Sequence, residues 1–274
     1  KLGAETAKRW LASKNLEATI FDYLFLGKTV GQLHSFYAAP WAAALMGAEG
    51  TTGVHVPQAC STSTTCVGQA AAGLETGSFN NAFCLMTDRL SNGPHTIWPN
   101  PNGPGGEVIS ENWVMDNFGS DPHGGVAMIQ TAENVVKKVG NITKEECDAV
   151  TLRRYEQYLD ALANDREFQK RYMFPIEFKK SKKEVGVVES DEGVMPTVKE
   201  ALANLKPVIP GGVHTFGSQT HPADGNCGII VTTKDKAQEL SADKNIQVQV
   251  ISYGFSRAEK AHMALAVVPA AMMA

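Results

Sequence analysis

The sequence predicts an α/β fold in which helices cover a mainly parallel sheet. Short apolar segments at residues 20–25 and 81–87 are typical of buried strands, and Val54 and Val56 alternate with polar neighbours. Residues 5–13 form a predicted amphipathic helix, and a helix of small residues follows Val56. Strands that alternate with helices in this way favour a layered α/β architecture.

Composition and charge limit the possible functions. The chain has 274 residues, 43% of them hydrophobic, and a net charge of -4, which gives no electrostatic case for binding nucleic acid. No apolar run approaches the length of about 20 residues that a membrane helix needs. The five cysteines are an odd number without a CxxC pair, which argues against a disulfide framework or a zinc cluster. We therefore expect a cytoplasmic protein with no membrane partner.

Further elements follow along the chain. Pro40 is expected to begin or kink a helix, and residues 91–125, rich in Pro, Gly and Asn, are expected to form a long functional loop. Additional helices are predicted at residues 126–139, 144–172 and 197–205, and additional strands at residues 228–233 and 246–255. Two of these helices begin with candidate capping pairs, Thr143 with Glu146 and Thr197 with Glu200. Cys147, Val150, Tyr155, Tyr158 and Leu162 are expected to form a core stripe on the second helix.

The strongest candidate for chemistry is Cys60, in the segment VHVPQACSTSTTCVGQAAAGLETG. It lies on the predicted turn between a strand and a helix, where backbone N–H groups and the helix dipole favour a nucleophilic thiolate. Ser61, Thr62 and Ser63 are hydroxyl residues of the kind that cap a helix. The spacing alone leaves a buried structural cysteine equally open. The other four cysteines are interpreted as packing residues: Cys66, Cys84, Cys147 and Cys227.

Five motifs in order carry a resemblance to a known family. They are VPQACSTSTT, RLSNGPH, MIQTAENVVKK, DEGVMP and LKPVIPGGVHTFGSQTHPADGNCG. Together they resemble the thiolase family over nearly the whole chain. The resemblance implies a layered αβαβα fold, of which this chain contains the N-terminal half and the loop domain. It divides the sequence into an N-terminal half (1–90), a loop domain (91–204), a return strand and helix (205–240) and the start of the C-terminal half (241–274).

The resemblance also implies an activity and its participants. It implies an acyl-CoA C-acyltransferase that cleaves or forms 3-oxoacyl-CoA through an acyl-enzyme on Cys60, with the Cys60 N–H as one oxyanion donor. Met128, Phe216 and Thr220 correspond to substrate- or CoA-binding positions. Coenzyme A and acyl-CoA are substrates rather than permanent cofactors, and the family assembles as dimers or tetramers. Apart from the resemblance, the seven histidines form no HExxH or CxxC-linked pattern, so we expect no metal site. Two alternatives stay open: a non-catalytic thiolase-like subunit beside a small acyl-CoA-binding partner, and a ketoacyl-synthase-like condensing enzyme.

The sequence departs from the family pattern in several places. The Gly-hydroxyl-Gly pattern after the nucleophile is replaced by Ser61-Thr62-Ser63, which predicts a stiffer and more polar turn. Phe216 stands where a small residue is common, which predicts a different tunnel width. His221-Pro222 resembles the catalytic Gly-His-Pro motif only superficially, because it lies in the wrong segment. The family's Gly-His-Pro segment itself has no counterpart, so most of the C-terminal half is expected to be missing.

Overall fold

The computed structural model describes residues 1–220 and 223–274, which form two compact units. The first unit comprises Lys1–Asp116, Pro222–Gly254 and Ala274, and the second comprises Asn117–His221 and Phe255–Met273. The strands are β1 (Tyr23–Gly27), β2 (Thr52–Val56), β3 (Asn81–Asp88), β4 (His95–Pro99), β5 (Val108–Asn112), β6 (Ile176–Lys179), β7 (Val185–Val188) and β8 (Gly225–Thr232). The helices are α1 (Leu2–Ser13), α2 (Ala38–Met46), α3 (Thr62–Glu75), α4 (Met115–Gly119), α5 (Met128–Val139), α6 (Lys144–Ala161), α7 (Ala163–Lys170), α8 (Lys199–Asn204), α9 (Lys234–Leu240) and α10 (Val267–Met273).

The first unit is built on a four-stranded sheet in the order β2-β1-β3-β8. Strand β1 pairs in parallel with both neighbours, so that Tyr23 lies opposite Thr52 on one side and Ala82 on the other. Strand β8 pairs antiparallel with β3. The expectation of a mainly parallel sheet is therefore confirmed, and the carboxyl ends of the three parallel strands meet at one edge.

Alternate residues of the central strands separate the core into two layers. Leu24 and Leu26 of β1 join the cluster formed with α1 and α2, whereas Phe25 joins a second cluster with Cys66 and Ala70 of α3. The side chains of β3 are divided between the two clusters in the same way, and Phe83 belongs to the first cluster. Since successive side chains of a strand point to opposite faces, helices cover both faces of the sheet. The unit is thus an α/β/α sandwich.

Close packing of α3 on the sheet depends on a glycine. A Cβ atom at Gly27, the last residue of β1, would lie 2.9 Å from Cγ2 of Thr62 and 3.0 Å from Sγ of Cys66. These distances are shorter than ordinary van der Waals contacts. Gly27 therefore allows the first turns of α3 to lie directly on the strand.

Three predictions about the first unit are wrong or incomplete. Residues 91–125 are not a single loop, because β4 and β5 form an antiparallel hairpin within them. Strand β8, expected to be buried, lies at the sheet edge and buries only Val231 of its apolar side chains. Residues 246–255 form no strand, and Val248 is 92% exposed. A segment of strand-like composition forms a strand only where a neighbouring strand is available to pair with its backbone.

The second unit contains α5 to α8, the β6–β7 hairpin and α10. The capping box at Thr143 is confirmed, since its side chain accepts from the Glu146 N–H while the Glu146 carboxylate accepts from the Thr143 N–H. The capping pair at Thr197 is wrong, because α8 begins after Val198 without a side-chain cap. The helix expected at residues 144–172 divides at Leu162 into α6 and α7.

The predicted core stripe of α6 is also wrong. No residue of α6 is buried, and Val150 is 59% exposed. Helical spacing of apolar residues identifies a face but does not show that another element covers it. Among the residues that the structure describes, no helix is long and apolar enough to cross a membrane.

Candidate active site

Cys60 lies on a short 3₁₀ turn, Ala59–Ser61, between the end of β2 and the start of α3. Its side chain is exposed. The predicted order of strand, turn and helix is therefore confirmed, and the reading of Cys60 as a buried structural cysteine is wrong. The turn stands at the carboxyl edge of the parallel strands, which is where open α/β sheets usually bind ligands.

The backbone immediately before Cys60 adopts an unfavourable conformation. Ala59 has φ 46°, in the left-handed region, where a residue with a Cβ atom is disfavoured by roughly 1–2 kcal/mol. Such strain persists only where surrounding contacts hold it, and it is typical of functional turns. Ala59 adopts this conformation immediately before the exposed Cys60.

Two threonine hydroxyls hold this turn. The Ala59 N–H donates to Oγ1 of Thr29 at 2.8 Å, and the Gln58 N–H donates to Oγ1 of Thr62 at 2.9 Å. The two hydroxyl oxygens lie 3.3 Å apart, within hydrogen-bonding distance. The side chain of Gln58 is fixed as well, because its Oε1 accepts from the Thr65 hydroxyl at 2.7 Å. Side-chain hydrogen bonds therefore satisfy both amides that precede Cys60.

The amino end of α3 differs from the sequence prediction. Ser61 occupies the N-cap position, but its hydroxyl donates to the Gln58 carbonyl at 2.9 Å and does not cap the helix. Helix α3 has 14 residues and begins at Thr62, two residues after Cys60. The positive end of its dipole and its first-turn amides therefore lie close to Cys60 in the chain. A negative charge that develops near Cys60 would be stabilised by this helix end.

A second layer of polar groups fixes the loop that carries Thr29. The Asp88 carboxylate, at the end of β3, accepts from the Thr29 N–H at 2.9 Å and from the Val30 N–H at 2.8 Å. The neighbouring Lys28 is only 6% exposed, and its Nζ donates to Oγ of Ser35 at 2.9 Å. Burial lowers the pKa of Lys28, while the negative charge of Asp88 opposes that shift. None of these residues was predicted from the sequence to support the site, although the polar pair Asp88-Arg89 after an apolar strand is a detectable pattern.

The remaining cysteines differ from Cys60 in their environments. Cys66 and Cys84 are completely buried, as predicted, and burial raises their pKa values to about 11 and about 12. Burial also raises the pKa of Cys147 on α6. Cys227 was expected to pack in the core but is exposed on β8, although partial desolvation of its thiol raises its pKa. These four thiols are disfavoured as thiolates at neutral pH.

The other predicted site residues belong to the second unit. Met128 is the first residue of α5 and is half-buried, which places it where the motif predicted the start of a helix. Phe216 is 73% exposed on the 3₁₀ turn Phe216–Ser218, and Thr220 is exposed just beyond that turn. Cys60 belongs to the first unit, so a shared site with these three residues stays a prediction. His221 and Pro222 lie outside the described residues.

One buried carboxylate in the second unit was not predicted from the sequence. Glu133 of α5 is 1% exposed, and its carboxylate accepts from the Val213 N–H at 3.0 Å and from the His214 N–H at 2.8 Å. A Cβ atom at Gly212 would lie 2.5 Å from a Glu133 carboxylate oxygen, so the glycine allows this approach. Glu133 thereby ties α5 to the segment that carries Phe216 and Thr220.

A cavity of about 460 Å³ lies in the first unit and is lined by Gly31, Gln32, Leu33, Asn92, Gly93, Pro94 and His95. Cys60 is not among these lining residues, so the geometry of the turn, rather than this cavity, defines the candidate site. Within the described residues, no cluster of three or more His, Cys, Asp or Glu side chains is arranged to hold a metal ion.

The fold and the turn together define an α/β protein that presents a cysteine between a parallel strand and a helix. The family model for the thiolase N-terminal domain matches residues 1–235, and the chain belongs to the thiolase family. Its α/β core is therefore the thiolase fold over the N-terminal part of that family, as the motifs predicted.

Relatives of known name support this assignment. The chain is 29% identical over 230 residues to an acetyl-CoA acetyltransferase of Syntrophomonas wolfei, covering 81% of this chain and 56% of the relative. It is 26% identical over 251 residues to a probable acetyl-CoA acetyltransferase of Mycobacterium leprae, covering 87% of this chain and 61% of that relative. Human mitochondrial 3-ketoacyl-CoA thiolase has a similar fold, with a TM-score of 0.84 and 24% sequence identity. The match covers 99% of this chain and 68% of the human chain. The chain thus spans about three-fifths of the length of these curated relatives.

Proposed function

We propose that the protein is an acyl-CoA C-acyltransferase that transfers acyl groups through a thioester on Cys60. The observation that carries this proposal is the exposed Cys60 on a strained turn at the amino end of α3, within a chain of the thiolase family. The similarity to acetyl-CoA acetyltransferases supports acyl-CoA as the substrate class. A structure of human mitochondrial 3-ketoacyl-CoA thiolase in complex with CoA has the same fold, with a TM-score of 0.83.

The proposed chemistry begins with attack of the Cys60 thiolate on the 3-carbonyl carbon of a 3-oxoacyl-CoA. The carbon–sulfur bond forms as the oxygen takes up negative charge. Collapse of this intermediate breaks the bond between C2 and C3, and C2 leaves as the enolate of acetyl-CoA, which takes up a proton. The thiol of a second CoA then loses its proton and attacks the acyl-Cys60 thioester, which releases the shortened acyl-CoA and returns the Cys60 thiolate. The proton that this CoA loses balances the proton that the enolate takes up. The reverse sequence is a Claisen condensation.

The turn supplies two of the requirements of this reaction. The Cys60 N–H is the proposed donor to the developing oxyanion, and the amino end of α3 adds a favourable potential for negative charge. Both groups are held by the backbone and need little reorganisation during the reaction. We assign no proton-transfer residue within this chain, because the Gly-His-Pro segment of the family has no counterpart in the sequence.

We further propose that Met128, Phe216 and Thr220 contact the acyl chain or the pantetheine arm. Met128 offers an adaptable apolar surface and Thr220 a hydroxyl group. The proposed assembly is a homodimer or tetramer in the cytoplasm, without a permanently bound cofactor. Sedimentation or light scattering of the purified chain would measure the oligomeric state directly.

Isotope exchange between acetyl-CoA and labelled CoA tests the proposed function. Exchange needs an acyl-enzyme to form and to be reversed by free CoA, so it reports the first half of the reaction alone. We expect exchange with the unmodified chain and with Cys227→Ser, which alters the other exposed cysteine. Cys60→Ser should show none. Exchange that survives Cys60→Ser would move the nucleophile elsewhere, and its absence from all variants would favour a non-catalytic thiolase-like subunit.

A further inference from the structure

The residue of interest is Thr29, which follows β1 and lies 31 positions before Cys60 in the chain. Its hydroxyl oxygen accepts the Ala59 N–H at 2.8 Å. Ala59 is the strained residue of the turn, with φ 46°. This hydrogen bond fixes the plane of the Gln58–Ala59 peptide and thereby restricts φ of Ala59, the residue immediately before Cys60.

Thr29 is itself held firmly. Its N–H donates to one oxygen of the Asp88 carboxylate, and the Val30 N–H donates to the other oxygen. Hydrogen bonds from backbone amides to a carboxylate are stronger than bonds between neutral groups. Because β1 and β3 are parallel neighbours and Gly27 pairs with Met86, the strand register places Asp88 beside the end of β1. The sheet therefore positions Asp88, and Asp88 positions Thr29.

The Thr62 hydroxyl completes the arrangement. It lies 3.3 Å from the Thr29 hydroxyl and accepts the Gln58 N–H at 2.9 Å. Thr62 is buried, so water does not readily replace its contacts. The two hydroxyls therefore hold the consecutive amides of residues 58 and 59, immediately before the exposed Cys60.

We propose that Thr29, anchored by Asp88, is a positioning residue for the Cys60 nucleophile. Its hydroxyl maintains the left-handed conformation of Ala59 and so aims both the Cys60 sulfur and the Cys60 N–H at the acyl carbonyl. Thr29 does not itself contact the substrate in this account. The inference rests on the proposed function, since it assigns a role within the acylation of Cys60.

Removal of the Thr29 hydroxyl should therefore affect the acylation rate more than acyl-CoA binding. Valine has nearly the shape of threonine but cannot accept the Ala59 N–H, whereas serine keeps the hydroxyl. A misdirected reacting group can lower a rate by about 10- to 100-fold. We expect Thr29→Val to lower the maximal single-turnover acylation rate by about that factor, with a half-saturating acetyl-CoA concentration within about twofold of the original value.

Rapid-quench mass spectrometry of acetyl-Cys60 at several acetyl-CoA concentrations measures both quantities. Thr29→Ser should retain a rate within about threefold of the original. Asp88→Asn should reproduce the Thr29→Val defect, because the Thr29 and Val30 N–H groups bond to different carboxylate oxygens and asparagine replaces one of these oxygens by an NH2 donor. Thr76→Val serves as the matched control, since Thr76 is an exposed hydroxyl residue at the opposite end of α3. Thermal unfolding of each variant shows whether it is folded. If Thr29→Val does not fold, Asp88→Asn provides the test in its place.

The rate of Cys60 alkylation by iodoacetamide separates this inference from the proposed function, because it needs no acyl-CoA. We expect Thr29→Val to slow alkylation of Cys60 by about fivefold or more, and Thr29→Ser and Thr76→Val to leave it unchanged. If the unmodified chain is not acylated but Thr29→Val still slows alkylation, the proposed function fails and the positioning role stands. Equal acylation and alkylation rates in Thr29→Val and the unmodified chain would overturn the positioning role.

Discussion

Replacement of Ala59 by glycine should stabilise the folded chain, in contrast to most alanine-to-glycine substitutions. Relief of the left-handed conformation at φ 46° is worth roughly 1–2 kcal/mol. The greater freedom of glycine in the unfolded chain costs about 0.4–1 kcal/mol. The difference predicts a net gain of roughly 1 kcal/mol in the free energy of unfolding. Ala59→Val should have the opposite effect, because a β-branched side chain is strongly disfavoured in this region.

Urea denaturation followed by circular dichroism measures these differences. Ala72→Gly is the matched control, because Ala72 is an exposed residue inside α3 with ordinary helical geometry. That substitution should destabilise the chain by about 0.5–1 kcal/mol. The sign of the effect should therefore differ between positions 59 and 72. Equal destabilisation by the two glycine substitutions would show that Ala59 carries no strain and would remove the physical basis for the turn described here.

Three further predictions concern other parts of the chain. At pH 8, pKa values of about 11 for Cys66 and about 12 for Cys84 leave about one thiolate in a thousand and one in ten thousand, so iodoacetamide should label Cys60 well before either, as peptide mapping would show. If thiols with these pKa values were accessible, their labelling rate would rise about tenfold for each pH unit below pH 11, because the thiolate fraction rises by that factor. Equal labelling rates of Cys60, Cys66 and Cys84 at pH 8 would contradict the burial of Cys66 and Cys84. Glu133→Leu should lower the free energy of unfolding by about 2–5 kcal/mol, because two partly buried N–H groups lose their acceptor, and a loss below about 1 kcal/mol would refute that contact. Thr143→Ala should cost about 1 kcal/mol through loss of the capping box, whereas Thr143→Ser should retain most of it in the same denaturation assay.

The local arrangement around Cys60 could be predicted from sequence because it depends on neighbouring residues. An apolar alternation that ends at Val56, a polar turn and a run of small residues specify strand, turn and helix over one continuous segment. Gly77 marks the end of that helix and adopts φ 70°, as expected for a residue after a helix. Patterns of this kind report local geometry directly.

The contacts that hold the turn could not be predicted in this way. Thr29 meets Ala59 across 30 positions and Asp88 meets Val30 across 58. These contacts arise from the parallel pairing of β1 and β3, and no local pattern states which strands become neighbours. The hydroxyl of Ser61 shows the same limitation, because it has the composition of a helix cap but bonds to the Gln58 carbonyl instead.

The incorrect predictions for residues 246–255 and for α6 have a related cause. Residues 246–255 were expected to form a strand and the α6 stripe to lie in the core, yet Ile251 is 87% exposed and α6 buries none of its residues. Periodicity defines which side chains share a face. Whether that face is covered depends on the rest of the fold, which the segment itself does not encode.

Mass spectrometry of the chain after incubation with acetyl-CoA tests the central claim most directly. The account predicts the addition of one acetyl group, located by peptide mapping on Cys60 and removed by neutral hydroxylamine, which cleaves thioesters. Cys60→Ser should show no hydroxylamine-sensitive acetyl group, while Cys227→Ser should retain it. Acetylation located on any other cysteine, or retained as a thioester in Cys60→Ser, would contradict the assignment of Cys60 as the nucleophile.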